Sequence, residues 1–148
     1  MTQTTDAALV EAIILATRSH QGQVDKGGQP YILHPLRVML ACQTEQERIA
    51  AVLHDVMEDC DVSWVTIARQ FGDVIADAVA ALTREKDESY TSFIKRCAAN
   101  RIARTVKLAD LADNMDIRRL GRDPTPEDAK RQQRYADARA FLTNAPTP

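Results

Sequence analysis

Apolar residues recur at helical spacing along nearly the whole chain, and no useful stretch alternates in the manner of a strand. Leu9, Ile13, Ile14 and Ala16 mark one face of a first helix, predicted from about Asp6 to His20 and stopped by Gly22. Residues 22–31, GQVDKGGQPY, hold three glycines and a proline and read as a loop leading into His34-Pro35. A short helix is expected after Pro35, because proline suits a first helical position. Thr44-Glu45-Gln46-Glu47 is a capping box; it opens a helix that carries Ile49, Ala50, Leu53 and Val56 and ends near Asp59. Ser63 caps the next helix, to Phe71 with Gly72 past its end, and Asp73 starts another through Leu82. Residues 84–89, REKDES, are too polar for a core, and two further helices follow over about 90–100 and 101–115. After a break at Gly121–Pro126, Thr125-Pro126-Glu127-Asp128 supplies a cap, an N1 proline and two acids at the positive end of a last helix, to about Leu142. The pattern predicts an all-α, compact multi-helix bundle. It is read as one domain over 1–148, with a core of about 5–142 and a tail at 143–148.

Composition narrows the function classes. The chain is 45% hydrophobic and 27% charged, which is globular rather than disordered. No apolar run approaches the ~20 residues of a membrane span. The first residues lack a basic start and carry Asp6 and Glu11, so no export signal is expected and the cytoplasm is the default. Cys42, Cys60 and Cys97 fit neither a disulfide framework nor a metal knuckle and read as reduced, buried, inert thiols. With 19 basic against 21 acidic residues, nothing calls for nucleic acid. An anionic ligand must be held by a local cluster or by a metal.

The candidate chemistry lies in four residues. His54-Asp55 falls inside the apolar stretch AAVLHDVMED, where a carboxylate is costly unless something satisfies its charge. Adjacent helical residues lie about 100° apart, so both side chains reach one ion beside the helix. His34 ends the glycine loop, and Asp110 interrupts the apolar segment Val106–Leu111. Two imidazoles and two carboxylates suit Mn²⁺, Fe²⁺ or Zn²⁺, and the absence of thiolates favours Mn²⁺. Each residue also has a plainer reading: His34 as a loop residue, His54-Asp55 as an ion pair, Asp110 as the partner of Lys107.

Four segments together are more specific: SHQGQVDKGGQPYILHP (19–35), AAVLHDVMED (50–59), FGDVIADAVAALT (71–83) and VKLADLADNM (106–115). Their order and spacing resemble the HD superfamily, and within it the hydrolase domain of the RelA/SpoT alarmone enzymes and their small stand-alone relatives. The resemblance implies an HD-domain bundle with one Mn²⁺ site built by His34, His54, Asp55 and Asp110. It also implies removal of 3′-pyrophosphate from guanosine tetra- and pentaphosphate. The family's paired acids map onto Glu58 and Asp59. Glu58, four residues after His54, is expected on the same helix face, positioned to deprotonate the attacking water with Asp59 assisting. Lys107 and Asn114 match substrate contacts of the family, and Lys26 matches a lysine close to the phosphates. Lys107, Asp110, Asn114 and Arg118, spaced by three, four and four residues, are expected to line one helical stripe. Arg131 and Tyr135 share a face of the last helix and resemble a substrate-contacting pair, while His20 reads as a helix-end packing residue.

Two positions depart from the family pattern. Asp25 and Asp116 stand where the alarmone enzymes commonly carry arginine, and each reversal near a polyanion costs about 1 kcal/mol or more if poorly screened; Arg118 is placed to compensate. The expected partner is therefore a small nucleotide, either a guanosine or adenosine alarmone or, as an alternative, another nucleotide of an HD-type phosphohydrolase. A non-catalytic nucleotide sensor is the third reading. The synthetase domain of long family members does not follow in this sequence, so synthesis is not expected. A homo-oligomer is not legible either way.

Overall fold

Side-chain caps written into the sequence set most helix boundaries. The structure is a computed structural model that describes residues 5–148, with side chains from residue 7 onward. Helix α1 spans Thr5–Ser19, α2 Leu33–Ala41, α3 Glu45–Val52, α4 Val56–Asp59 and α5 Trp64–Phe71. Then follow α6 Asp73–Ala81, α7 Tyr90–Ala99, α8 Arg101–Asn114, a 3-10 helix Ile117–Leu120, and α9 Pro126–Asn144. The capping boxes at Thr44/Glu47 and Thr125/Asp128 both close as the sequence predicts. Ser63, Ser89 and Asn100 each accept a backbone N–H at the start of α5, α7 and α8. Among the described residues there is no strand; a lone bridge, Val24 to Pro30, closes the glycine loop.

Two boundaries differ from the expectation, and both bear on the site. Helix α2 begins at Leu33, so Pro35 is its third residue and His34 lies inside the first turn rather than in the loop. The first four amides of a helix have no intrahelical partner, so the proline loses nothing there. The predicted helix to Asp59 is interrupted: residues 53–55 form a turn between α3 and α4. Leu53 and Asp55 adopt φ −97°, ψ 0° and φ −105°, ψ −1°, the sparsely used bridge region. The cause is local. The His54 ring donates from Nδ1 to the Ala51 carbonyl (2.6 Å), which a continuous helix would offer to the Asp55 amide. Fully buried Leu53 anchors the turn, contributing about 1.5–3 kcal/mol.

Helix α8 is the hub. It packs against α2, α3, α6, α7 and α9, while α3 also touches α1, α2 and α6. One apolar cluster fills the space between them, with Val38, Val52, Leu53, Val56, Val79, Val106 and Leu111 fully buried. Asp110 faces the α3–α4 turn and the start of α2 from the middle of that hub. Cys42 and Cys97 are buried and Cys60 is half-buried; all three are free thiols. No helix among the described residues is long and apolar enough to cross a membrane.

Candidate metal centre

Three buried ligand atoms, from His34, His54 and Asp110, lie within 4.8 Å of one another. Asp110 Oδ1 is 3.0 Å from His34 Nε2 and 3.5 Å from His54 Nε2. Asp55 closes the nest: its Oδ2 stands 3.0 Å from His54 Nε2 and 3.9 Å from His34 Nε2, and it accepts the Tyr31 hydroxyl at 2.5 Å. The turn between α3 and α4 presents His54 and Asp55 together toward Asp110 of α8.

Each imidazole is oriented from its far side. His34 Nδ1 donates to Asp113 Oδ2 (2.6 Å), and Arg37 and Arg119 hold that carboxylate in turn, at 2.8 and 2.9 Å. His54 Nδ1 is engaged by Ala51. Both Nε2 atoms therefore point their lone pairs into the nest, the arrangement metal-binding histidines adopt. His54 Nε2 is buried with no hydrogen-bond partner. Imidazole nitrogens and carboxylate oxygens crowded together call for positive charge between them, and two imidazoles with two carboxylates fit a divalent ion. The titration directions agree. Burial opposes charge on His34 and His54, yet the carboxylates of Asp110 and Asp113 outweigh it at His34, and those of Asp55 and Asp110 at His54, so both pKa values are raised. Burial likewise opposes ionisation of Asp110, but the Lys107 ammonium and the two histidines hold it well below the usual carboxylate range.

Glu58 and Asp59 are exposed at the mouth of the nest. Because of the turn, Glu58 reaches it from α4 and not, as expected, from the same helix face as His54. A cavity of about 240 Å³ joins both acids to His34, Asp55, Lys107, Asp110 and Tyr135. Partial burial, followed by the negative charge of Asp55, raises the pKa of both. Lys107 is bound to Asp110 Oδ2 (2.8 Å), and Asn114 donates to Asp110 Oδ1 (3.0 Å), so both hold this aspartate as well as facing the cavity.

A second cavity of about 370 Å³ shares Tyr31, Asn114 and Tyr135 with the first and extends past Lys26, Arg119 and Arg131. Arg131 pairs with Asp128 there. Arg118, expected on the Lys107–Asp110–Asn114 stripe, lies elsewhere. Helix α8 ends at Asn114, so the helical spacing stops and Arg118 falls on the 3-10 helix, where it points to solvent and pairs with Asp116 at 2.9 Å. Asp25 is neutralised too. It accepts the Gly27 and Gln29 amides at 2.9 Å and faces Arg119 at 3.4 Å. Gly27 lies so close to the Arg119 carbonyl that a Cβ there would collide with it. His20 packs as expected, buried against Tyr31 and bonded to Gln23.

Sequence reasoning missed Tyr31, Asp113, Arg37 and Arg119. One signal existed: Asp113 follows Asp110 by three residues, a second acid on the same helix side. The others act across elements and leave no local trace.

Comparison with known proteins agrees with the resemblance. The family profile described as HD domain matches residues 12–137. The guanosine-3′,5′-bis(diphosphate) 3′-pyrophosphohydrolase MESH1 of Danio rerio is 32% identical over 147 residues, covering 87% of this chain and 78% of that protein. The guanosine-3′,5′-bis(diphosphate) 3′-pyrophosphohydrolases of Vibrio cholerae and Aquifex aeolicus are 30% and 34% identical over 73% and 68% of this chain. The chain spans only 17% and 16% of those two bacterial relatives. A solved structure described as a metazoan ortholog of SpoT that hydrolyzes ppGpp superposes with a TM-score of 0.75 at 25% identity, covering 94% of this chain and 86% of that one. The chain belongs to the HD-domain family, in the company of guanosine-3′,5′-bis(diphosphate) 3′-pyrophosphohydrolases.

Proposed function

We propose that this protein is a divalent-metal-dependent phosphohydrolase, folded as one hydrolase unit, that removes pyrophosphate from the 3′ position of guanosine 3′,5′-bis(diphosphate). The observation that carries this reading is the buried, unpartnered His54 Nε2 set among His34 and the carboxylates of Asp55 and Asp110. These four residues are the ligands in this reading. Two carboxylates, two imidazoles and no thiolate favour Mn²⁺ over Fe²⁺ or Zn²⁺. A divalent ion there would make a water more acidic and offset charge on the phosphoryl oxygens.

The chain's own residues supply the rest. Glu58, its pKa raised by burial and by Asp55, accepts the proton of the attacking water, with Asp59 beside it. A bond forms from the water oxygen to phosphorus, the bond from phosphorus to the ribose 3′-oxygen breaks, and that oxygen leaves as a hydroxyl with the proton that Glu58 accepted. Lys107, held by Asp110, places its charge beside the phosphoryl group. Tyr31, Asn114 and Tyr135 join this cavity to the wider one, where Lys26 and Arg131 face the nucleotide. A nucleotide substrate and three free thiols are in keeping with a cytoplasmic reaction, which is part of this proposal.

Protein supplied with Mn²⁺ and guanosine tetraphosphate should release pyrophosphate, and the His54→Ala and Asp55→Ala variants should be inactive. Normal turnover by either variant would end the reading. A second reading, an HD hydrolase of a different nucleotide, is favoured by Asp25 in the loop that faces the wider cavity. Metal-dependent turnover across a nucleotide panel, with none on alarmones, would select it. Tight binding without product in any metal would select a sensor instead.

A further inference from the structure

The cavity beside the metal nest has two cations that the function above does not use. Arg84 stands in the loop between α6 and α7, and Arg134 stands on α9; both line the same cavity as Glu58, Asp59 and Asp110. Both guanidinium groups lie against the Tyr90 ring, with Cζ 5.8 and 4.8 Å from its centroid. Lys107, the third cation of that wall, is occupied by Asp110. Arg84 gives only Nε to the Glu88 carbonyl (2.9 Å), so its terminal amino groups have no partner among the described residues. Arg134 forms no ion pair among the described residues, and the Tyr90 hydroxyl is buried in the same cavity without a partner.

The position of Arg84 is fixed in advance. Arg96 on α7 binds the Thr83 carbonyl at 2.7 Å and both oxygens of Glu88 at 2.6 and 2.7 Å, clamping the loop at its two ends. Arg84 lines the same cavity as Glu58 and Asp59, which places this arginine at the mouth of the nest. Two unneutralised guanidiniums lining one cleft supply forked donors, a chemistry suited to phosphoryl oxygens. Two cations match two phosphoryl groups.

We infer that Arg84 and Arg134, both seated on the Tyr90 ring, form a diphosphate-binding clamp facing the metal nest. It would grip the diphosphate group of the substrate and retain the pyrophosphate product. Which diphosphate is gripped rests on the function proposed above; the clamp itself rests on the unpaired cations.

The test uses the full chain and two separate readouts. Inorganic pyrophosphate is titrated calorimetrically into wild type and into Arg84→Ala, Arg134→Ala and double variants, in parallel with Mn²⁺ titrations and melting curves. Pyrophosphate affinity should fall about tenfold for each single variant and about a hundredfold for the double, as loss of charge-assisted hydrogen bonds predicts. Mn²⁺ affinity and melting temperature should stay at wild-type values, and Arg134→Lys should retain part of the binding. Wild-type pyrophosphate affinity in the double variant, or no pyrophosphate binding by the wild type, overturns the clamp. Turnover of guanosine tetraphosphate is measured separately. An inactive wild type whose pyrophosphate binding still needs both arginines sinks the proposed substrate and supports the clamp. An active enzyme with unchanged pyrophosphate affinity in the double variant sinks only the clamp.

Discussion

The metal nest and the wider cavity behind it are built on opposite electrostatic plans. In the nest His34, His54 and Asp110 are 3%, 2% and 3% exposed, and two imidazoles and two carboxylates crowd together with one ammonium, Lys107, bound to Asp110 beside them. In the wider cavity almost every charge already has a partner: Arg131 with Asp128, Arg119 with Asp25 and Asp113, and at its edge Arg118 with Asp116. The first arrangement is incomplete without a cation, whereas the second is balanced before any ligand arrives. A ligand of the nest should therefore stabilise the fold, while a ligand of the wider cavity has to compete with existing ion pairs.

Removing a nest carboxylate should produce the largest effect. In Asp110→Asn the lost charge leaves buried Lys107 without its anion and takes one neighbouring carboxylate from each imidazole. Breaking a buried pair in this way costs about 3–5 kcal/mol. In the wild type, Mn²⁺ at a hundred times its Kd should add about 2.7 kcal/mol. Melting curves with and without Mn²⁺ check both: the variant should melt lower and show no metal-dependent gain. A full Mn²⁺ shift in Asp110→Asn would contradict the nest.

Asp113 tests the orientation of His34 rather than its ligation. Asp113→Ala should weaken Mn²⁺ binding about 10–100-fold, and Asp113→Asn should recover part of it by keeping an acceptor for Nδ1. Stability carries a second signature. Burial alone would raise the Asp113 pKa, but hydrogen bonds from His34 and Arg37 and the charge of Arg119 hold it at about 2. A depressed carboxylate stabilises the fold above its unfolded value of 3.8 and loses that contribution as pH falls toward 2. Acid unfolding of Asp113→Asn should therefore be shallower between those pH values than that of wild type.

The helices were legible because their boundaries are local: Thr44, Ser63, Asn100 and Thr125 each meet a backbone amide within three residues. His54-Asp55 and Asp110 were legible as polar residues inside apolar segments, while His34, at the end of the glycine loop, joined them through the family resemblance. The turn at Leu53–Asp55 was not, since it depends on the His54 ring competing for the Ala51 carbonyl, which no periodicity records. Arg118 was misplaced for the reverse reason: helical spacing was carried past Asn114, where α8 stops. Tyr31 and Arg37 act on residues 24 and 76 positions away, and Arg119 joins Asp113 on α8 to Asp25, 94 positions away, across elements that no local pattern links.

Asp25 probes the balanced side with a smaller effect. Asp25→Asn keeps an oxygen for the Gly27 and Gln29 amides, so the loop should hold its shape, while Arg119 loses an anion 3.4 Å away. One screened charge near the surface is worth about 1 kcal/mol. KM for an alarmone should fall about fivefold, with Mn²⁺ affinity unchanged. A higher KM would show that Asp25 contacts the substrate itself.

Arg118 should matter least. Its side chain is 88% exposed, and its only carboxylate partner among the described residues is Asp116, two positions away on the same 3-10 segment. Exposed pairs of this kind contribute about 0–1 kcal/mol, and salt screens them further. The pair also cancels the charge of Asp116, so the two residues together present little field to a polyanion. Arg118→Ala should leave Mn²⁺ affinity and kcat unchanged and raise KM by less than about threefold, through the freed Asp116 carboxylate alone. The double variant Arg118→Ala/Asp116→Ala should then return KM to the wild-type value. If KM instead rose further in the double variant, both side chains would be contacting substrate directly, and the boundary between nest and balanced cavity would have to move outward to include the 3-10 helix.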